Sequence, residues 1–200
     1  MSSQTFFDAV KKRRSIYALS KDSVISDEKI QEIIGQAILH TPSSFNSQSA
    51  RAVVLLGEQS DKFWNLTTET LRKIVPADSF EATEQRMNGF VAGYGTVLFF
   101  EDETVIKGLQ EQFPSYADNF PIWGNQSNGM LQYVVWTAFA QEGIGATLQH
   151  YSPLIDDQVR QEWNVPQEWK LIAQMPFGKV AAEAGEKAFQ PLDERLKVFK

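Results

Sequence analysis

Thr41-Pro42-Ser43-Ser44-Phe45-Asn46-Ser47-Gln48, running on through Ser49-Ala50-Arg51 into Ala52-Val53-Val54-Leu55-Leu56-Gly57, is the stretch on which the fold turns. Before it, Ile30, Ile33, Ile34, Ala37 and Ile38 recur at helical spacing and form a one-sided apolar stripe. Ser26 is placed to cap that helix, with Asp27 and Glu28 in its first turn, where the helix dipole favours anions. Thr41-Pro42 breaks it, because proline cannot continue a helix interior. The run from Ala52 to Leu56 then predicts a buried strand ended by Gly57. A plain helix-to-strand connection needs one or two turn formers. Here Ser43, Ser44, Asn46, Ser47 and Gln48 crowd one short loop with side-chain donors and acceptors. The loop reads either as a polar cap or as one lip of a site for a planar, amide-rich ligand.

Working outward, Phe6, Phe7 and Val10 predict a first helix ending near Arg14. A third helix starts near Ser60, with Phe63, Leu66, Thr70, Leu71 and Ile74 inward, and stops at Pro76. Gly95 to Phe100 is a second strand, and Asp102 to Gln112 a short helix. Phe113 to Gly124 carries two prolines and reads as a folded aromatic loop. Asn125 to Glu142 is a long helix, with Met130, Leu131, Val134, Val135, Ala138 and Phe139 apolar over much of its circumference, as in a central buried helix. A short strand over Thr147 to Tyr151, a helix over Pro153 to Trp163 and a strand over Trp169 to Met175 follow. Arg195 to Phe199 alternates like a final strand. Strands separated by an excess of helices predict a single α+β domain over residues 1–200 with a small central sheet.

Composition narrows the function. The formal net charge of −6 argues against a general nucleic-acid binder, which needs a basic footprint. With no cysteine there is no disulfide, thiolate nucleophile or cysteine-bound metal, and His40 and His150 alone do not build a zinc site. No metal is expected. Met1-Ser2-Ser3-Gln4-Thr5 does not read as a secretory signal, and no window approaches the ~18 apolar residues of a membrane span. The expectation is a soluble, cytoplasmic protein with no membrane partner.

The second lip is Lys12-Arg13-Arg14-Ser15-Ile16-Tyr17. The planar fork of an arginine gives a phosphate two parallel charge-assisted hydrogen bonds. Arg13 and Arg14 are about 100° apart on a helix, so one phosphate is assigned to Arg13, with Ser15 two residues on. Arg14 then turns to a ligand's sugar chain or to a structural ion pair. An ordinary solvated basic helix end is the alternative. Asn46 and Gln48 suit the alternating donors and acceptors of an isoalloxazine pyrimidine edge.

The Arg-Arg-Ser segment, the Pro-Ser-Ser-Phe-Asn-Ser-Gln loop before a strand, and Asn125 followed by Glu142-Gly143-Ile144-Gly145-Ala146 resemble, in order, the signatures of FMN-dependent nitroreductases. Arg13 to Leu19, Gly93 to Asp102 and Leu148-Gln149-His150-Tyr151 resemble more closely the small branch with fungal nitroreductase-like proteins and their bacterial relatives. The resemblance implies a nitroreductase-like fold with a mostly antiparallel sheet, and a homodimer that holds FMN between subunits and exchanges its C-terminal strand. Arg13, Arg14 and Ser15 would come from one chain and Pro42, Ser43, Ser44, Asn46 and Gln48 from the other. Gln149, His150 and Tyr151 match the segment whose backbone N–H groups face the flavin N5. His150 is therefore expected to act through its main chain more than as a general acid. Lys187, and more weakly Arg195, match a basic group near the phosphate.

One departure stands out: Tyr17 occupies a position where better-known members carry lysine near the flavin ring, leaving Arg86 as a candidate source of that charge. Tyr116, Phe120 and Trp123 either cover the open flavin face or fill the core. Gly93-x-Gly95 and Gly143-x-Gly145 lack the third glycine of a dinucleotide fingerprint, so a nicotinamide donor is expected to dock transiently. The implied function is transfer of electrons from NADH or NADPH to nitroaromatic, quinone or similar flat acceptors by a ping-pong mechanism. A flavin-binding regulatory or stress-response protein with little turnover is the alternative.

Overall fold

The computed structural model describes residues 3–200. In chain order it forms α1 (Ser3–Lys12), β1 (Leu19–Ser20), α2 (Asp27–His40), β2 (Ala50–Leu56), α3 (Glu58–Arg72), α4 (Phe80–Val91), β3 (Gly95–Asp102), α5 (Glu103–Gln112), α6 (Phe120–Gln141), β4 (Ile144–Ala146), α7 (Asp156–Trp163) and β5 (Trp169–Val180). The strands make one antiparallel sheet in the order β1-β5-β3-β2, with β4 also paired to β5.

The central strand β3 shows why helices cover both faces. Successive side chains of a strand point to opposite sides. Val97 and Phe99 pack with Ile30, Ile34 and Ala37 of α2 and Leu131, Val135 and Phe139 of α6. Leu98 and Phe100 face the other way, onto Phe63 and Trp64 of α3, Met87 and Phe90 of α4, and Val159 of α7. A strand buried on both sides reads as a continuous apolar run, as β3 does. At Gly95 an added Cβ would stand 2.5 Å from Phe177 Cζ and 2.9 Å from the Leu55 carbonyl oxygen, so only glycine lets Phe177 cross the strand.

Several expectations hold in detail. Ser26 Oγ accepts from the Lys29 N–H at 3.3 Å, and α2 ends before Pro42. Others are corrected. The chain from Phe80 to Val91 is helical, an element the sequence reading left unassigned. The expected aromatic loop is a 3-10 turn over Pro114–Asn119, after which α6 starts at Phe120, earlier than Asn125. Pro121 falls in the first turn of α6, where a missing N–H breaks no bond. Ile74 lies beyond α3 and is exposed. The strand expected over Thr147 to Tyr151 is instead β4 at Ile144–Ala146, with Gln149 adding only a single bridge to Gln174.

Two corrections matter for function. Met130 and Val134 of α6 are outward-facing, 43% and 40% exposed, because no described element covers that side of the helix. The tail from Arg195 to Phe199 forms no strand within the chain, and Phe199 is 90% exposed. Among the described residues no helix is long and apolar enough to cross a membrane.

Candidate functional site

The basic segment begins where α1 ends. Arg13 stacks its guanidinium over the Trp136 ring of α6 at 4.4 Å, with Tyr133 at 6.0 Å. Its Nε is buried without a hydrogen-bond partner. The guanidinium is thus packed on an aromatic face and has no carboxylate partner among the described residues. Arg14 turns away and donates to the Gly185 carbonyl oxygen at 2.7 Å. Its partner is thus a backbone carbonyl of the tail, and no carboxylate pairs with it among the described residues. Ser15 bridges to Ala146, and the Ile16 N–H donates to the Ala146 carbonyl at 2.9 Å, which fixes the segment on the sheet edge. Arg13, Arg14, Ser15, Tyr17 and Lys187 all line one cleft of about 500 Å³. Arg195 is not among its walls and lies exposed in the tail. The stretch Ala182 to Glu186 completes the cleft, a contribution that its small residues did not signal.

The polar loop is an ordered structure in its own right. Ser43 Oγ accepts the Gln48 N–H at 2.9 Å, the Ser43 carbonyl accepts the Asn46 N–H at 3.0 Å, and the Ser44 carbonyl accepts the Ser47 N–H at 3.1 Å. Phe45, Asn46 and Gln48 have φ of 57°, 51° and 49°. Side-chain-bearing residues take this left-handed conformation only where their surroundings enforce it. The enforcement is aromatic: Phe45 packs at 4.9 Å on Phe113, 5.3 Å on Phe120 and stacks at 6.2 Å on Trp123. The aromatic segment therefore braces the loop, with Phe120 fully buried and Tyr116 half-exposed. Arg51 adds a bond of 2.6 Å from Nη1 to the Gln48 carbonyl and pairs with Asp102 at 2.9 Å.

Pro42, Ser43 and Gln48 line a second cleft, about 320 Å³, whose far wall is Ser127 and Leu131 of α6 and Trp169 of β5. Ser44 and Asn46 are not in its walls. Ser127, inside the polar run Asn125 to Asn128, and Trp169, between Glu168 and Lys170, carry no local signal for this cleft, because only the packing of α6 and β5 brings them to it. Within one chain, then, the two lips line separate clefts.

The third segment follows β4. The Gln149 N–H donates to the Gln174 carbonyl at 2.7 Å, and the Tyr151 N–H to Gln174 Oε1 at 2.8 Å. Of the three backbone donors, only the His150 N–H is without a partner among the described residues. Tyr151 and Arg86 share a further cleft of about 230 Å³. Burial pushes the Tyr151 phenol up from its ordinary value, and the Arg86 charge pulls it back.

A small antiparallel sheet thus lies between helical layers, with an arginine that has no ion-pair partner among the described residues at one edge and a donor-rich loop with left-handed residues at another. The model of the nitroreductase family matches residues 10–179, so the chain belongs to the nitroreductase family, a family of flavin-dependent oxidoreductases. It is 35% identical over 187 residues to the putative nitroreductase HBN1 of Saccharomyces cerevisiae, covering 92% of this chain and 93% of that one. It is 45% identical to the nitroreductase CinD of Lactococcus lactis, solved in complex with chloramphenicol, with a TM-score of 0.90 over 98% of this chain and 100% of that one. CinD has also been solved in complex with 4-nitrophenol, with a TM-score of 0.89.

Proposed function

We propose that the chain, folded as one domain, works as a homodimer that holds FMN between subunits and passes electrons from NADH or NADPH to nitroaromatic, quinone or similar flat acceptors in a ping-pong cycle. The observation that carries this reading is the separation of the two lips, each lining its own cleft on one chain. A second copy brings one chain's basic lip to the other's polar loop. Arg13, with its buried and unpartnered Nε, fits a phosphate, and Lys187 adds charge in the same cleft. Ser43, Asn46 and Gln48 fit the amide-rich edge of the ring.

Bound FMN supplies the hydride-accepting and hydride-donating chemistry. This chain's groups orient and tune it. The unpaired His150 N–H is the donor offered to the ring, and Arg86 stands beside Tyr151 as the positive charge that Tyr17 does not provide. The exposed apolar side of α6 and the tail residues Phe189, Leu192, Val198 and Phe199 supply the surface a large subunit interface needs. In this reading the tail crosses to the partner and gains there the sheet edge it lacks. The chloramphenicol and 4-nitrophenol bound by CinD support a nitroaromatic acceptor.

The test is whether flavin and assembly are lost together. On serial dilution, FMN release is expected to track dimer dissociation, whereas a monomer that retains FMN would refute the shared site. Tyr17 in place of lysine favours the second reading, a flavin-binding regulator with little turnover, which predicts bound FMN that neither NADH nor NADPH reduces.

A further inference from the structure

Glu101, at the end of β3, is the one ionisable side chain in the buried set among the described residues, at 5% exposure. No cation among the described residues pairs with it. Its neighbours in charge lie on the other elements around it: Lys170 is its cross-strand partner on β5, and Glu103 and Lys107 of α5 border the same small cavity. The adjacent Asp102 is committed to Arg51. What reaches the Glu101 carboxylate is a set of neutral donors. Ser49 Oγ donates to Oε1, and Asn128 Nδ2 donates to Oε2 at 3.0 Å and to the Phe100 carbonyl at 2.9 Å. Gln132 Nε2 in turn donates to Asn128 Oδ1 at 2.8 Å. With Ser49 spending its proton on the carboxylate, its oxygen is left to accept from Ser47 Oγ at 3.2 Å. The chain of bonds thus runs from α6, through β3, into the polar loop.

A carboxylate without a cation is an expensive way to fill space, and a neutral side chain of the same volume would serve stability equally well or better. What the carboxylate does that a neutral group cannot is accept from both sides at once. Its two oxygens hold Ser49, the residue that closes the polar loop, and Asn128, which lies next to the cleft residue Ser127 and about one turn of α6 from Leu131. The Ser49 carbonyl is held as well, by the Asp102 N–H at 2.9 Å.

We propose that Glu101 is a positioning residue for the cofactor cleft, fixing the polar loop and α6 relative to each other through Ser49 and Asn128. This rests on the reading of that cleft as half of an FMN site. In E101Q the amide oxygen can still accept from Asn128, but the amide nitrogen then faces Ser49, which loses its charged acceptor and must reverse its bond to Ser47, so the link weakens without a change in volume.

The experiment compares FMN affinity, by quenching of flavin fluorescence, and apo-protein melting temperature in the wild type, E101Q, S49A and the double variant. The wild type binds FMN. E101Q and S49A are each expected to bind it about tenfold more weakly or worse; E101Q should melt near the wild type, and S49A somewhat lower, because it leaves the buried carboxylate short of a donor. The double variant is expected to be no weaker than the worse single, because both changes cut the same link. Wild-type affinity in E101Q, or losses that multiply in the double variant, would overturn the anchor and leave the FMN site standing. If E101Q fails to fold, S49A, which keeps the carboxylate, decides alone: unchanged affinity overturns the proposal. A wild type that takes up no FMN overturns the underlying site, and the anchor with it.

Discussion

The Arg14 guanidinium donates a hydrogen bond to the carbonyl oxygen of Gly185 at 2.7 Å, across 171 residues of sequence. One basic lip is thereby tied to the start of the C-terminal tail, and Lys187 is held in the same cleft as Arg13. The Arg14→Ala variant is expected to loosen the tail while leaving the two cores untouched. Limited proteolysis should cut it sooner beyond Val180, with a melting temperature close to the wild type's. An unchanged cleavage pattern would show that the bond does not hold the tail.

Arg13 has the opposite character: it stacks on Trp136 and keeps a buried, unpartnered Nε. Arg13→Ala is expected to weaken FMN binding by ~2–5 kcal/mol, the penalty of leaving a buried charged partner unpaired. Arg13→Lys should recover only part of that, since an ammonium lacks the planar fork. Equilibrium titration with FMN checks both, and unchanged affinity in Arg13→Ala would remove the phosphate from this residue.

Much of this was legible in the sequence, for identifiable reasons. The second helix announced itself through a capping serine, two acids and an isoleucine stripe, all local signals. The fourth helix did not: Phe80, Met87 and Phe90 are its only buried residues, set among polar ones with Gly89 between them. The site was half legible. The identities of Arg13, Ser43 and Gln48 were plain, but what they do is decided by tertiary contacts. Ser43 spends its oxygen on the Gln48 N–H, and Phe45 takes its left-handed turn because Trp123 and Phe113 arrive from far along the chain. The alternation of the tail predicted a strand that the chain does not form by itself, because alternation signals a strand only where another strand pairs with it.

Glycine substitutions separate packing from propensity. At Gly124 an added Cβ would lie 2.9 Å from Glu101 Oε1 and 3.0 Å from Ile106 Cδ1, so Gly124→Ala is expected to destabilise by ~1–3 kcal/mol. Gly108 of α5 has nothing within 4 Å of such a Cβ, and Gly108→Ala should stabilise by about 0.5–1 kcal/mol. Urea unfolding of both variants checks the contrast. Equal effects would contradict the close seating of α6 on β3.

Tyr94 donates to Asp27 Oδ1 at 2.5 Å, joining the start of β3 to the first turn of α2. The bond to Asp27, and then burial, hold the phenol above its ordinary value. A folded-state value raised above the unfolded one gives stability that is complete below about pH 10 and lost as pH rises through the folded value. Tyr94→Phe is expected to cost about 1 kcal/mol at pH 7 and to flatten the decline above pH 10. Unfolding midpoints at pH 7 and pH 10.5 test it, and a parallel decline in both proteins would contradict the assignment.

The most direct measurement is the visible absorption spectrum of the protein after loading with FMN and desalting, recorded anaerobically before and after NADH and then NADPH. The account predicts a retained flavin spectrum that bleaches within seconds with at least one donor and returns on adding a nitroaromatic or a quinone. Flavin that stays bound but resists both donors would contradict the proposed turnover, and a colourless protein would contradict the site itself.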